Sequence, residues 1–119
     1  MFEYLHFFSY AFDGLRYAVT NHRSFLIQVL SGSLAIMAGF LFSISRIEWL
    51  ILVVSIGGVL TAELFNTAVE SILDYMEKKH NLNVRIAKDV AAGGVLVTAL
   101  VSTVVGLLIF GPYLVDLFV

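Results

Sequence analysis

The sequence predicts an all-α membrane protein: an N-terminal amphipathic surface helix and three membrane-spanning helices in one domain over residues 1–119. Of the 119 residues 60% are hydrophobic and only 13% are charged. With a mean hydropathy of +0.94, the chain is too apolar for a water-soluble domain of this size. Three apolar segments can be laid out against the ~20 residues that a spanning helix needs. One proline and no Ser-, Gly- or Pro-rich linker leave no domain boundary and no internal repeat. The absence of cysteine excludes disulfides and thiol chemistry. A formal charge of -2 with no basic stretch gives nucleic acid nothing to bind.

In residues 1–23, aromatic and aliphatic side chains share the stretch with Glu3, His6, Asp13, Arg16, His22 and Arg23. That mixture suits a helix lying flat in the membrane interface, and His6 reads as interfacial. Arg23 either holds a lipid phosphate or satisfies the interface. The first span, 25–44, reads "FLIQVLSGSLAIMAGFLFSI" and is interrupted only by Gln28 and small hydroxyls. Its Gly32, Ser33, Ala35, Ala38 and Gly39 suit close helix packing. The second span, 48–78, opens beside Trp49, an interface anchor. No Gly or Pro follows Gly58 in it, so it leaves the bilayer still helical. The third, 88–111, is uncharged from Val90 to Gly111 and is expected to stop before Pro112. No cleavage site and hydrophilic sequence follow the first apolar run, so these segments are expected to be retained. Arg16, Arg23, Lys78, Lys79, Arg85 and Lys88 fall on one side of this layout and Arg46 alone on the other. The N-terminus and the second connection are therefore expected in the cytoplasm, the first connection and the C-terminus outside.

The stretch "AELFNTAVESILD" carries acids where the second span should still be in or at the edge of hydrocarbon. Glu63 lies about 21 Å along the helix from Trp49, at ~1.5 Å per residue. An ionisable group at such depth costs roughly 2.5–3.5 kcal/mol at the bilayer centre and less near its edge, so it faces protein or water and serves function. Asn66, Glu70 and Asp74 follow at helical spacing, along one face descending towards the cytoplasm. Such a face is also what the polar seam of a plain helix bundle looks like. Lys88 and Asp89 open the third span, followed by the small residues Ala91, Ala92, Gly93 and Gly94, which allow a neighbouring helix close. A carboxylate face and a cation–acid pair meeting at the cytoplasmic mouth could hold a metal, a polyphosphate and a lipid head. No GxxxxGK[ST] or kinase Gly-rich loop is present, and the paired glycines lie inside spans.

"AELFNTAVESILD" followed by "RIAKDVAAGGVLV" resembles the signature of the prokaryotic diacylglycerol kinase family, small three-span lipid kinases. "YAFDGLRYA" resembles the family's N-terminal helix and "RIEWLILVVSIGG" its turn into the second span, so the likeness covers most of the chain. Within the family, "IEW", "AAGGVLV" and "GLLIFGPYL" look more like the undecaprenol kinases. The resemblance implies a homotrimeric membrane bundle with active sites between subunits, transferring the γ-phosphate of MgATP to a lipid alcohol. Undecaprenol is the expected acceptor and diacylglycerol the alternative. It implies Glu63 as general base, Asn66 as its catalytic neighbour and Glu70 as a metal-binding carboxylate. Tyr10, Lys88 and Asp89 match nucleotide-contacting positions, and Lys79, His80 and Asn81 of the connection join that set; His80 also has the plain reading of a solvated residue. The family commonly has a second metal-binding glutamate where this chain has His22, which is taken as its replacement. Glu3 and Asp13 stand where relatives commonly carry basic residues. Two readings without catalysis compete: a non-catalytic membrane bundle, and an ion-conducting oligomer lined by Glu63 and Asn66.

Overall fold

The computed structural model describes residues 2–76 and 81–119. The described residues form four helices: α1 (Phe2–Asn21), α2 (Arg23–Leu41), α3 (Arg46–Met76) and α4 (Leu82–Phe118). The last three are long and apolar enough to cross a membrane, which makes this a multi-pass membrane protein. With 31 and 37 residues, α3 and α4 run for about 46 and 56 Å, beyond the ~30 Å of hydrocarbon in a bilayer. Both therefore carry residues from lipid depth into water without a break.

The break between α1 and α2 is a single extended residue, His22, at φ -121 and ψ 106. No glycine or proline causes it. Instead, polar side chains at the end of α1 bond back onto carbonyls of the preceding turn. Thr20 Oγ1 donates to the carbonyl of Arg16 at 2.8 Å, and Asn21 Nδ2 donates to that of Tyr17 at 3.0 Å. Side-chain hydrogen bonds of this kind compete with continuing the helix ladder. The α1 face carrying Phe7, Ala11, Gly14 and Ala18 then borders an apolar cleft of about 800 Å3, shared with Leu64, Phe65 and Ala68 of α3.

At the other end of α2 the chain reverses within four residues. Ser43 takes the left-handed conformation (φ 52), while the N–H groups of Ser43 and Ile44 donate to the carbonyls of Phe40 and Gly39. These are the bonds of a Schellman stop. Ser45 and Glu48 then open α3 with a reciprocal pair: Ser45 Oγ accepts from the Glu48 N–H, and Glu48 Oε1 accepts from the Ser45 N–H. This capping box satisfies two donors that a helix start leaves free. Tyr113 of α4 donates its hydroxyl to the same Glu48 Oε1 at 2.6 Å.

α3 and α4 are antiparallel neighbours over their full length. Glu48 meets Tyr113 near the turn, Ser55 Oγ lies 2.7 Å from Ser102 Oγ in the middle, and Asp74 pairs with Lys88 at the far end. The apolar core gathers at the turn end, where Ile44, Leu52 and Ile109 are buried among Ala35, Trp49 and Phe110. The far end is more open, and the sequence-predicted site lies there.

α4 exceeds the expected 88–111 at both ends. It starts at Leu82 because the Asn81 side chain accepts from the Asn83 N–H and caps it. It runs through Pro112 to Phe118. A proline removes one backbone donor, a defect that spanning helices tolerate where neighbours and local adjustment satisfy the freed groups.

Within the chain, the glycines crowded by a neighbouring helix lie on α2 and not after Asp89. An added Cβ at Gly93 or Gly94 would meet nothing within 4 Å, whereas at Gly39 it would lie 2.6 Å from Trp49 Cη2 and at Gly32 3.0 Å from Ile56 Cγ2. Gly39→Ala is therefore expected to lower stability by about 1–3 kcal/mol, despite the roughly 0.5–1 kcal/mol that alanine otherwise gains over glycine in a helix. The check is the unfolding midpoint in detergent, with Trp49→Leu restoring it in the double variant.

Candidate active site

Three residues of α3 are buried, Leu52, Val59 and Glu63. Seven and four positions apart, they lie on one helical stripe. The first two face the core; the third puts a carboxylate on the same packed face, 4% exposed. A buried acid needs a partner. Ser24, second residue of α2, supplies one: its hydroxyl donates to Glu63 Oε2 at 3.2 Å. Sequence reading missed this residue, because a serine after an arginine at the mouth of a span looks like any small interfacial hydroxyl. The signal lay in register: a deep acid must meet whatever polar side chain the neighbouring helix carries at its own inner end.

Below Glu63 the stripe continues as expected. Asn66 Nδ2 donates to Glu70 Oε1 at 3.4 Å, so the two side chains act as a unit. Asn66 Oδ1 is buried without any hydrogen-bond partner. Such an acceptor costs about 1–3 kcal/mol if it stays unmade, and a ligand donor or cation can satisfy it. Glu70 is half-buried, open enough to reach a ligand from the aqueous side.

Lys88 joins this stripe and Asp89 does not. Lys88 lies six residues inside α4, facing α3, and forms an ion pair with Asp74. Asp89 is exposed; neighbours on a helix point about 100° apart, so the two cannot share one face. The cation at the mouth is thus paired across helices, where the sequence suggested a pair within α4. Among the described residues it is the only ion pair.

The remaining candidates are spread out. Tyr10 is 70% exposed on α1 with its ring stacked on His6 at 6.2 Å. The His22 imidazole packs on Tyr17 at 5.7 Å and makes no capping hydrogen bond. Nor does an ion pair join it to Glu70. Asn81 spends its side-chain oxygen on capping α4. Lys79 and His80 lie outside the described residues.

For a hard cation the donor set is small but of the right kind. No three of His, Cys, Asp and Glu converge among the described residues. Glu70 and the unpartnered Asn66 Oδ1 nevertheless offer two adjacent oxygens. Magnesium commonly takes one or two carboxylates and completes its shell with phosphate oxygens and water, so these residues fit it. Chemically, the arrangement combines a buried carboxylate with oxygen donors and a cation towards the open end of the stripe.

Comparison with known proteins supplies the family. Residues 9–110 match the prokaryotic diacylglycerol kinase family. The chain is 39% identical over 107 residues to the undecaprenol kinase of Bacillus subtilis, covering 90% of this chain and 87% of that protein. It is 37% identical over 114 residues to the diacylglycerol kinase of a Synechocystis strain, covering 94% of this chain and 65% of that longer protein. The chain belongs to the prokaryotic diacylglycerol kinase family. It is accordingly a membrane-embedded lipid kinase that uses ATP, and the two readings without catalysis fall away.

The side chains of Lys88 and Asp74 are 36% and 65% exposed, and exposed ion pairs are worth about 0–1 kcal/mol. Asp74→Asn should therefore move the unfolding midpoint in detergent very little. A large loss of folded protein in that variant would show the pair to be a structural clamp.

Proposed function

We propose that the protein transfers the γ-phosphate of MgATP to undecaprenol, giving undecaprenyl phosphate and ADP. The observation that carries the proposal is the burial of Glu63 at the lipid end of a polar stripe whose other end is open. A hydroxyl borne by a lipid cannot travel far into water, so the base that activates it has to sit at bilayer depth. In this reading Glu63 takes the hydroxyl proton as the hydroxyl oxygen attacks the γ-phosphorus and the bond to the ADP oxygen breaks. Asn66 orients Glu70 through its amide and offers its free oxygen to the ligand. Lys88, Asp89 and Tyr10, with Lys79, His80 and Asn81 of the connection, contact the nucleotide. Glu70 and Asn66 would hold the magnesium, with His22 where relatives carry a second glutamate. When bound, the ion supplies neutralisation of phosphate charge, the main demand of a reaction that depends on positioning and electrostatics.

The undecaprenol assignment is supported by the 39% identity to an undecaprenol kinase over 87% of its length. The 37% identity to a diacylglycerol kinase supports diacylglycerol as the alternative acceptor. A homotrimer with sites between subunits is supported by how little of the chain is buried within itself: among the described residues six apolar side chains, large or small, are buried, while Leu34, Phe40, Val54 and Leu100 among many others are exposed. In this reading α1 lies at the cytoplasmic interface of the bacterial inner membrane, and the C-terminus faces outward.

Two outcomes check the proposal. Purified protein should move labelled γ-phosphate from ATP to undecaprenol in preference to diacylglycerol, and Glu63→Gln should lower that turnover by at least ~10² while leaving ATP binding intact. Near-normal turnover in the variant would remove Glu63 as the base. Separately, a cysteine replacing Asn83 should react with an impermeant thiol reagent only in opened cells, and one replacing Val119 in intact cells.

A further inference from the structure

We propose that Ser24 is a positioning residue for phosphoryl transfer, whose hydroxyl holds Oε2 of Glu63 and so turns the other oxygen towards the acceptor. The inference rests on the reading of Glu63 as the base. Glu63 is the buried charged residue of the described chain, and Ser24 is its side-chain hydrogen-bond partner, reaching it at 3.2 Å across 39 residues of sequence. Ser24 itself is exposed, but the chain that carries it is anchored. It follows the extended break at His22 by two residues, and the next residue, Phe25, is 2% exposed and anchors the first turn of α2.

The chemistry of the donor matters as much as its place. A lysine or arginine could also fix a buried carboxylate, but as a salt bridge that stabilises the charged form and opposes proton uptake. Arg23, one residue away, is exposed and forms no ion pair with Glu63. A hydroxyl offers a single proton and no charge. It orients the carboxylate and leaves its second oxygen unshared, which a base requires. The same hydrogen bond ties the inner end of α2 to α3 at the depth where the lipid hydroxyl has to arrive.

Steady-state transfer of labelled phosphate from ATP to undecaprenol tests this in the full-length protein, with Ser24→Ala, Ser24→Thr, Glu63→Gln and the double variant Ser24→Ala/Glu63→Gln. Ser24→Ala is expected to lower kcat about tenfold, the scale of one lost hydrogen bond to a charged group, with KM for ATP and lipid within about twofold. Ser24→Thr, which keeps the hydroxyl, should retain most of the turnover. In the Glu63→Gln background, Ser24→Ala should add no further loss, because the two act as one unit. Unchanged kcat in Ser24→Ala beside a disabled Glu63→Gln overturns the role of Ser24 and leaves the base in place. Near-normal Glu63→Gln overturns the reading beneath both. Equal losses in kcat and unfolding midpoint for the Ala and Thr variants mean a packing role and also defeat the proposal. If Ser24→Ala does not fold, Ser24→Cys replaces it: its weak S–H donor should lower kcat at unchanged KM, and full turnover would refute the assignment.

Discussion

A carboxylate on a helix that crosses hydrocarbon cannot face lipid, and much of this structure follows from where Glu63 is therefore turned. Its cost at bilayer depth is a few kcal/mol, a large fraction of a small protein's stability. Glu63 avoids that cost by sharing the packed stripe of Leu52 and Val59 and by taking the Ser24 hydroxyl. Asn66, Glu70 and Asp74 then have to point the same way, because α3 continues as one helix to Met76. The polar stripe is a continuation of the core, emerging where the core ends.

The α3–α4 pair shows a division of labour along its length. At the turn end, a Schellman stop, a capping box and the Tyr113 hydroxyl are concentrated within a few residues around Glu48. Phe42 stacks on Tyr113 there at 5.8 Å. In the middle the Ser55–Ser102 contact sets the register. Side-chain hydrogen bonds between membrane helices average about 0.6 kcal/mol and reach about 1.7, so these links choose an alignment more than they stabilise it. At the far end, among the described residues, the Lys88–Asp74 pair alone crosses, half in solvent. The less constrained end of the described pair is the one where the proposed site opens.

Much of the architecture was legible from residues alone. Apolar run lengths marked the three spans, and the spacing from Glu63 to Asp74 marked one face, because both depend only on helix geometry. What escaped depends on pairing between helices. The partner of Lys88 is Asp74, fourteen residues upstream, although Asp89 is its neighbour in sequence; only the antiparallel register reveals this. Ser24 escaped for the same reason. The end of α4 was misjudged because a proline reads as a stop, while here the helix continues past it. Close packing was expected both along Gly32 to Gly39 and at Gly93 and Gly94; the facing bulk of Trp49 and Ile56 shows that within the chain it is Gly32 and Gly39 that need to be small.

The unbroken course of α3 also makes it a ruler. The rise from Trp49 to Glu63 is about 21 Å and from Glu63 to Asp74 about 16 Å at ~1.5 Å per residue; neither distance can adjust without breaking the helix. The host membrane has no such fixed dimension. Bilayers differ by several Å in hydrophobic thickness, and a helix answers mismatch by tilting or by deforming the lipid around it. In a thinner membrane Glu63 would sit nearer the headgroups, and in a thicker one deeper among the chains. The depth at which Glu63 sits is thus set jointly by the sequence of α3 and by the lipid composition around it.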